Sequence, residues 1–99
     1  MSGESLRRLD REIAAEKAAA LGRAGERLEQ ALAEVAALAE ALRGAPDATS
    51  RARVLGEYTA ARGRAQRARA ALLIQREALG LRHHAVVDQQ FPEPPRLPR

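Results

Sequence analysis

From Leu6 to Leu42 the larger apolar residues and two alanines fall at Leu6, Leu9, Ile13, Leu21, Ala24, Leu28, Ala31, Leu32, Val35, Leu38 and Leu42. The spacings are those of one face of a helix, with Lys17 standing inside the single longer gap. The 36 residues from Leu6 to Leu42 make roughly ten helical turns, so the stripe suits a nearly straight helix better than a drifting heptad. The pattern predicts a helix over about 5–43, capped at its start by Ser2 or Ser5. Gly22 and Gly25 each weaken such a helix by about 1 kcal/mol relative to alanine, and close packing against a neighbour is the expected reason for keeping them.

Gly44 and Pro46 end this helix, and a turn over 44–49 offers Asp47, Thr49 and Ser50 as caps for a second one. Its seam, Val54, Tyr58, Ala61, Ala65, Ala68, Leu72, Gln75 and Leu79, alternates steps of four and three, and Gly80 is placed to stop it, giving a helix over about 50–80. So short a connection makes the two helices antiparallel neighbours, and the central alanines let their backbones approach. The register pairs Val35 with Tyr58, Leu28 with Ala65, Leu21 with Leu72 and Ile13 with Leu79. Beyond Gly80 a short helix over about 83–90 is expected, anchored by Val86, Val87 and Phe91; in a four-helix bundle made by two copies, the 81–91 segment would fill one end. The tail, 92–99, carries four of the five prolines and is expected to be extended, polyproline-like or disordered. The fold class is therefore all-α, a long antiparallel helical hairpin occupying 1–91 followed by a proline-rich tail.

Polar residues interrupt the seam near the open end of this hairpin. Lys17 and Asp10 sit in the first stripe and Gln75 in the second, with Glu16, Arg76 and Glu77 beside them. A polar group at a seam position costs stability unless it is paired. Two readings follow: Lys17 snorkels or pairs with Glu77 and the layer sets register, or the open end, comprising Asp10, Glu16, Lys17, Gln75, Arg76, Glu77, Arg82 and His83, is a recognition site for a partner.

Charge sharpens the contrast between the two halves. Residues 1–43 carry seven basic and eight acidic groups, whereas 44–99 carry ten basic and five acidic. Arg51, Arg62, Arg69 and Arg76 edge one side of the second seam and Arg53, Arg64 and Arg67 the other. Glu26, Glu29, Glu34 and Glu40 of the first helix can meet some of them across the seam, but four acids do not neutralise seven arginines. Arg53, Arg62, Arg64, Arg67 and Arg69 are accordingly a candidate nucleic-acid face, although no aromatic residue is interleaved for stacking and no helix-turn-helix signature is present.

Composition limits the chemistry. Alanine accounts for 23 residues, leaving 22 larger apolar side chains, of which Tyr58 and Phe91 are the only aromatics. A deep aromatic-lined pocket is not expected. With no cysteine, thiol nucleophiles, disulfides and Cys-type zinc sites are excluded, and a reducing, cytoplasmic setting is the expectation. There is no apolar run long enough for a membrane helix, and the N-terminus lacks the apolar core of a signal peptide. His83 and His84 are adjacent, so on a helix they point apart and do not chelate one metal together; Asp88, four residues after His84, is the one nearby additional ligand. No nucleophile triad, P-loop or dinucleotide fingerprint is present, so the expectation is a protein without catalytic residues, metal or cofactor.

Two stretches, Leu9-Asp10-Arg11-Glu12-Ile13-Ala14-Ala15-Glu16-Lys17-Ala18-Ala19-Ala20-Leu21-Gly22-Arg23-Ala24-Gly25 and Gln75-Arg76-Glu77-Ala78-Leu79-Gly80-Leu81-Arg82-His83-His84, resemble those of a family of short bacterial proteins that constitutes a domain of unknown function. The resemblance covers about a quarter of the chain and implies a bacterial source. The family has no assigned activity, so none is transferred. Ala14, Ala15, Ala18, Ala19, Ala36 and Ala37 of the first helix and Leu73, Ile74, Ala78 and Leu81 of the second lie off the seam, and a second copy is the simplest cover for them. The leading expectation is a homodimeric protein-interaction module, and the alternative a small basic RNA- or DNA-associated protein.

Overall fold

A computed structural model describes residues 2–96. Three helices follow one another, α1 (Gly3–Arg43), α2 (Ala48–Ala78) and α3 (Ala85–Gln90), and α1 packs along α2 as an antiparallel hairpin. Each long helix begins two residues earlier than its periodicity suggests, because the cap and not the first apolar residue sets the start. The Ser2 hydroxyl accepts from the Ser5 amide at 3.2 Å. The Asp47 carboxylate accepts from the Ser50 amide at 2.7 Å, and this bond holds the Asp47 carboxyl below its ordinary range. Asp47 therefore closes the turn, which is confined to 44–47.

Helix α2 ends two residues before the predicted stop. Gly80 adopts φ +83°, the Gly80 amide donates to the Glu77 carbonyl at 2.9 Å, and the Leu81 amide donates to the Arg76 carbonyl at 3.0 Å. This is a Schellman closure, in which glycine takes the left-handed residue after the cap and turns the chain away from the helix axis.

The core is two clusters stacked along the seam. Ala24, Leu28, Leu72 and Val87 form one, and Val35, Tyr58, Ala61 and Ala65 the other; Leu32 packs against both. Val35 meets Tyr58 and Leu21 meets Leu72 as the register requires, while Leu28 and Ala65 fall in adjacent clusters. Ala61 and Ala65 of α2 are buried because α1 lies directly on them, and among the described residues Tyr58 is the one buried side chain that carries a polar group. Helix α1 has 41 residues and α2 has 31, so α1 runs on past the end of α2 by about 15 Å. On that arm Leu6, Leu9 and Ile13 are 43–48% exposed. The molecule is a rod, 69 × 20 × 15 Å. Among the described residues no helix is long and apolar enough to cross a membrane.

Candidate interaction surface

Helix α3 does not cap the hairpin's end. The chain reverses at Gly80 and runs back along the side of the hairpin toward the 44–47 turn, so that 85–96 forms a strap over one edge of the α1–α2 seam. A polar knot holds the reversal. Arg76 donates through Nε to His84 Nδ1 at 3.2 Å and through Nη2 to the His83 carbonyl at 2.9 Å, while His84 Nε2 faces Glu77 Oε1 at 3.2 Å. For Nδ1 to accept, the ring proton sits on Nε2 and is donated to Glu77.

Further along the strap, Val87 is buried against Ala24, Leu28 and Leu72, and Phe91 packs on the same cluster. Asp88 pairs with Arg69. Beyond Pro92 the chain is non-helical but seated. Gln66 Nε2 and Arg62 Nη2 donate to Glu93 Oε1 at 3.0 and 3.3 Å, Arg62 Nε donates to the Pro94 carbonyl at 3.0 Å, and the Tyr58 hydroxyl donates to the Pro95 carbonyl at 2.7 Å. A proline-rich chain makes no internal backbone hydrogen bonds, so its carbonyls are free for such donors. The expected extended tail is thus docked over 92–96; residues 97–99 lie outside those described.

Between the strap and α1 runs an open groove. Its larger part, about 610 Å³, has Leu32, Val35, Ala36 and Ala39 on one wall and Phe91, Pro94 and Pro95 on the other, with Glu29 and Arg43 at its margins. It continues into a hollow of about 350 Å³ lined by Leu21, Gly22, Gly25, Val86 and Val87. Gly22 and Gly25 do not mark close packing: a Cβ added at either position meets nothing within 4 Å. Here the absence of a side chain widens a groove instead of admitting a neighbouring helix.

The structure gathers part of the predicted open-end site and separates the rest. Glu16, Lys17 and Gln75 share a hollow of about 590 Å³ with Ile13, Ala20 and Arg23. Arg76 and Glu77 turn instead to His84, and the His83 carbonyl joins them. Asp10 lies exposed on the α1 arm, and Arg82 and the His83 ring are exposed beyond the reversal. Lys17 does not pair with Glu77, whose carboxylate faces His84; Lys17 lies exposed beside Gln75, with its ammonium in water, so no polar core layer forms.

The five arginines of the candidate nucleic-acid face have mostly intramolecular partners. Arg53 pairs with Glu57 along α2, Arg62 with Glu93, Arg69 with Asp88, and Arg64 with Glu34 at 2.6 Å, the one among them that crosses the α1–α2 seam. The acids that meet Arg62 and Arg69 come from the strap, not from α1. Arg67 has no ion pair among the described residues. Likewise, no three His, Asp or Glu side chains assemble there into a metal-ligating group.

Tyr58 and His84 are the residues that sequence reasoning under-weighted. A tyrosine in a seam of alanines carried a usable signal, because a buried phenol needs a hydrogen-bond partner, and here the Pro95 carbonyl supplies it. No family model matches the chain, and neither a curated protein nor a solved structure is significantly similar to it.

Proposed function

We propose that this chain is a non-enzymatic helical interaction module, assembling with a second copy through the α1 arm and presenting its remaining apolar surface to a protein partner. The observation that carries this reading is the amount of uncovered surface. A compact chain of 10.7 kDa exposes about 5,500 Å², whereas this rod exposes 7116 Å². Part of the excess is the half-exposed stripe Leu6, Leu9 and Ile13, which continues the line that is buried at Ala24, Leu28 and Val35. Antiparallel overlap of two such arms covers both stripes at once, in the self-complementary manner of a two-fold interface. The apolar walls of the 610 Å³ groove support a binding role over a chemical one.

Sedimentation equilibrium across micromolar concentrations tests the dimer. A mass twice that of the chain, reduced to one chain by Leu9→Asp, is the expected result, and a monomer throughout refutes self-assembly. Nucleic-acid binding draws less support, since phosphates would compete with the acids already held by Arg53, Arg62, Arg64 and Arg69. That alternative requires binding to a nucleic-acid probe that falls steeply between two salt concentrations and weakens further on Arg64→Ala and Arg67→Ala.

A further inference from the structure

We propose that Tyr58, Arg62 and Gln66, together with the adjoining apolar groove on α1, form a docking site for an extended acidic-proline segment of a partner protein, which the chain's own residues 91–96 occupy as a tethered competitor. The inference rests on the reading of the chain as an interaction module and names the chemistry of the partner.

The side chains present read an extended peptide at successive points. Two donors converge on one carboxylate oxygen of Glu93, and single donors then take the Pro94 and Pro95 carbonyls. Tyr58 belongs to the seam cluster with Val35, Ala61 and Ala65, so its hydroxyl is held in place by the hairpin and loses little freedom on binding. Aromatic and cationic donors aimed at a carbonyl-rich, preordered proline segment are the ordinary means of binding such peptides. The charge of the site is complementary to an acidic residue just before Pro-Pro, and Phe91, two residues earlier, supplies the apolar anchor at the Leu28 cluster.

A partner segment, and not the strap of a second copy, is the favoured occupant. Exchange of straps between copies vacates one seat to fill another and creates no contact that the monomer lacks. The tether also gives the chain's own strap an effective concentration on the order of millimolar. A partner has to exceed that, and the groove beside the strap shows how: about 610 Å³ along Leu32, Val35, Ala36 and Ala39 stays unfilled and rewards larger apolar side chains than the strap provides. The strap therefore sets a threshold near its own effective concentration, below which only segments that add apolar contacts to the acidic-proline feature are admitted.

Because Phe91 is the sole phenylalanine, a fluorinated phenylalanine reports strap position as a single resonance in the full chain. A synthetic peptide of the sequence 89–96 is added to the labelled wild-type protein. Expected is saturable movement of the resonance from its seated to its free position at peptide concentrations on the order of millimolar. The same peptide with alanine in place of its glutamate should need about tenfold more. In the full-length variant Glu93→Arg, charge reversal against Arg62 loosens the strap, and the peptide should bind at about tenfold lower concentration. No movement with wild type, or equal movement with the alanine and scrambled peptides, overturns the proposal. So does a Glu93→Arg chain that folds yet keeps Phe91 seated and binds no better. If the resonance instead moves with protein concentration alone, in step with a dimer, the occupant is a second copy's strap and the partner assignment is wrong. Self-assembly through the α1 arm is read separately by Leu9→Asp, so it stands or falls apart from these outcomes.

Discussion

Replacing Leu28 by alanine tests where the structure places its core. Leu28 is 1% exposed, among the most deeply buried large side chains of the described residues; it belongs to the cluster of Ala24, Leu72 and Val87, and Leu32 and Phe91 pack around it. Truncating a buried leucine removes its transfer free energy and leaves a cavity, costing about 2–5 kcal/mol depending on how far the surroundings relax. This rod is only 20 × 15 Å in section, so neighbours and water reach the vacancy easily, and the cost belongs at the lower end, about 2–3 kcal/mol. For a domain of this size that lowers the melting temperature by about 10–20 °C. Leu9→Ala is the internal control: it belongs to the same stripe of α1 but is 43% exposed, so it should cost under about 1 kcal/mol in the monomer. Urea unfolding followed by far-ultraviolet circular dichroism supplies both numbers, at a concentration below any dimer transition. Because Phe91 and Val87 rest on the Leu28 cluster, Leu28→Ala should also loosen the strap before the hairpin melts. Equal costs for Leu28→Ala and Leu9→Ala would sink the assignment of the seam, since sequence spacing alone does not distinguish the two positions.

Other consequences are as direct. Gly80→Ala places a Cβ at φ +83° and should destabilise the chain reversal by about 1–2 kcal/mol, seen as partial release of Phe91 with the hairpin helices intact; an unchanged Phe91 environment would show that the reversal does not depend on glycine. Gly22→Ala and Gly25→Ala meet open space inside a helix, so each should stabilise by about 0.5–1 kcal/mol in urea unfolding, and a loss of stability would mean that this groove is closed in solution. Asp47 has a folded-state pKa below its unfolded value of 3.8, because the ionised carboxylate accepts the Ser50 amide. Its contribution is therefore present above that unfolded value and is lost as pH falls through the lower folded one. Urea midpoints at acid pH should fall less steeply in Asp47→Asn than in wild type, and identical slopes would remove Asp47 as the cause.

The hairpin was legible from sequence for a local reason. Helical periodicity is written in residues three and four apart, so the stripe of α1, the alternating seam of α2 and the turn between them announce themselves without knowledge of the rest of the chain. The Val35–Tyr58 and Leu21–Leu72 pairings follow from the shortness of that turn. The glycines show the limit of such reading. Gly22, Gly25 and Gly80 look alike in sequence, yet Gly80 supplies a left-handed turn while Gly22 and Gly25 lie in a helix beside an open groove.

Which way the chain runs after Gly80 was decided by tertiary structure alone. The segment 85–96 is too short and too poor in apolar residues to advertise a docking face, and its anchors are long-range: Glu93 meets a glutamine 27 residues away and the Pro95 carbonyl a tyrosine 37 residues away. Such contacts have no period, and they depend on two helices first presenting their donors along one edge. The same folding event redirects the acids. Arg62 and Arg69 looked like free positive charge, or partners of α1, until the strap carried Glu93 and Asp88 to them. Sequence determined the helices and their pairing; the fold determined which surface is closed, which stays open, and that the closing piece is the chain's own segment 85–96.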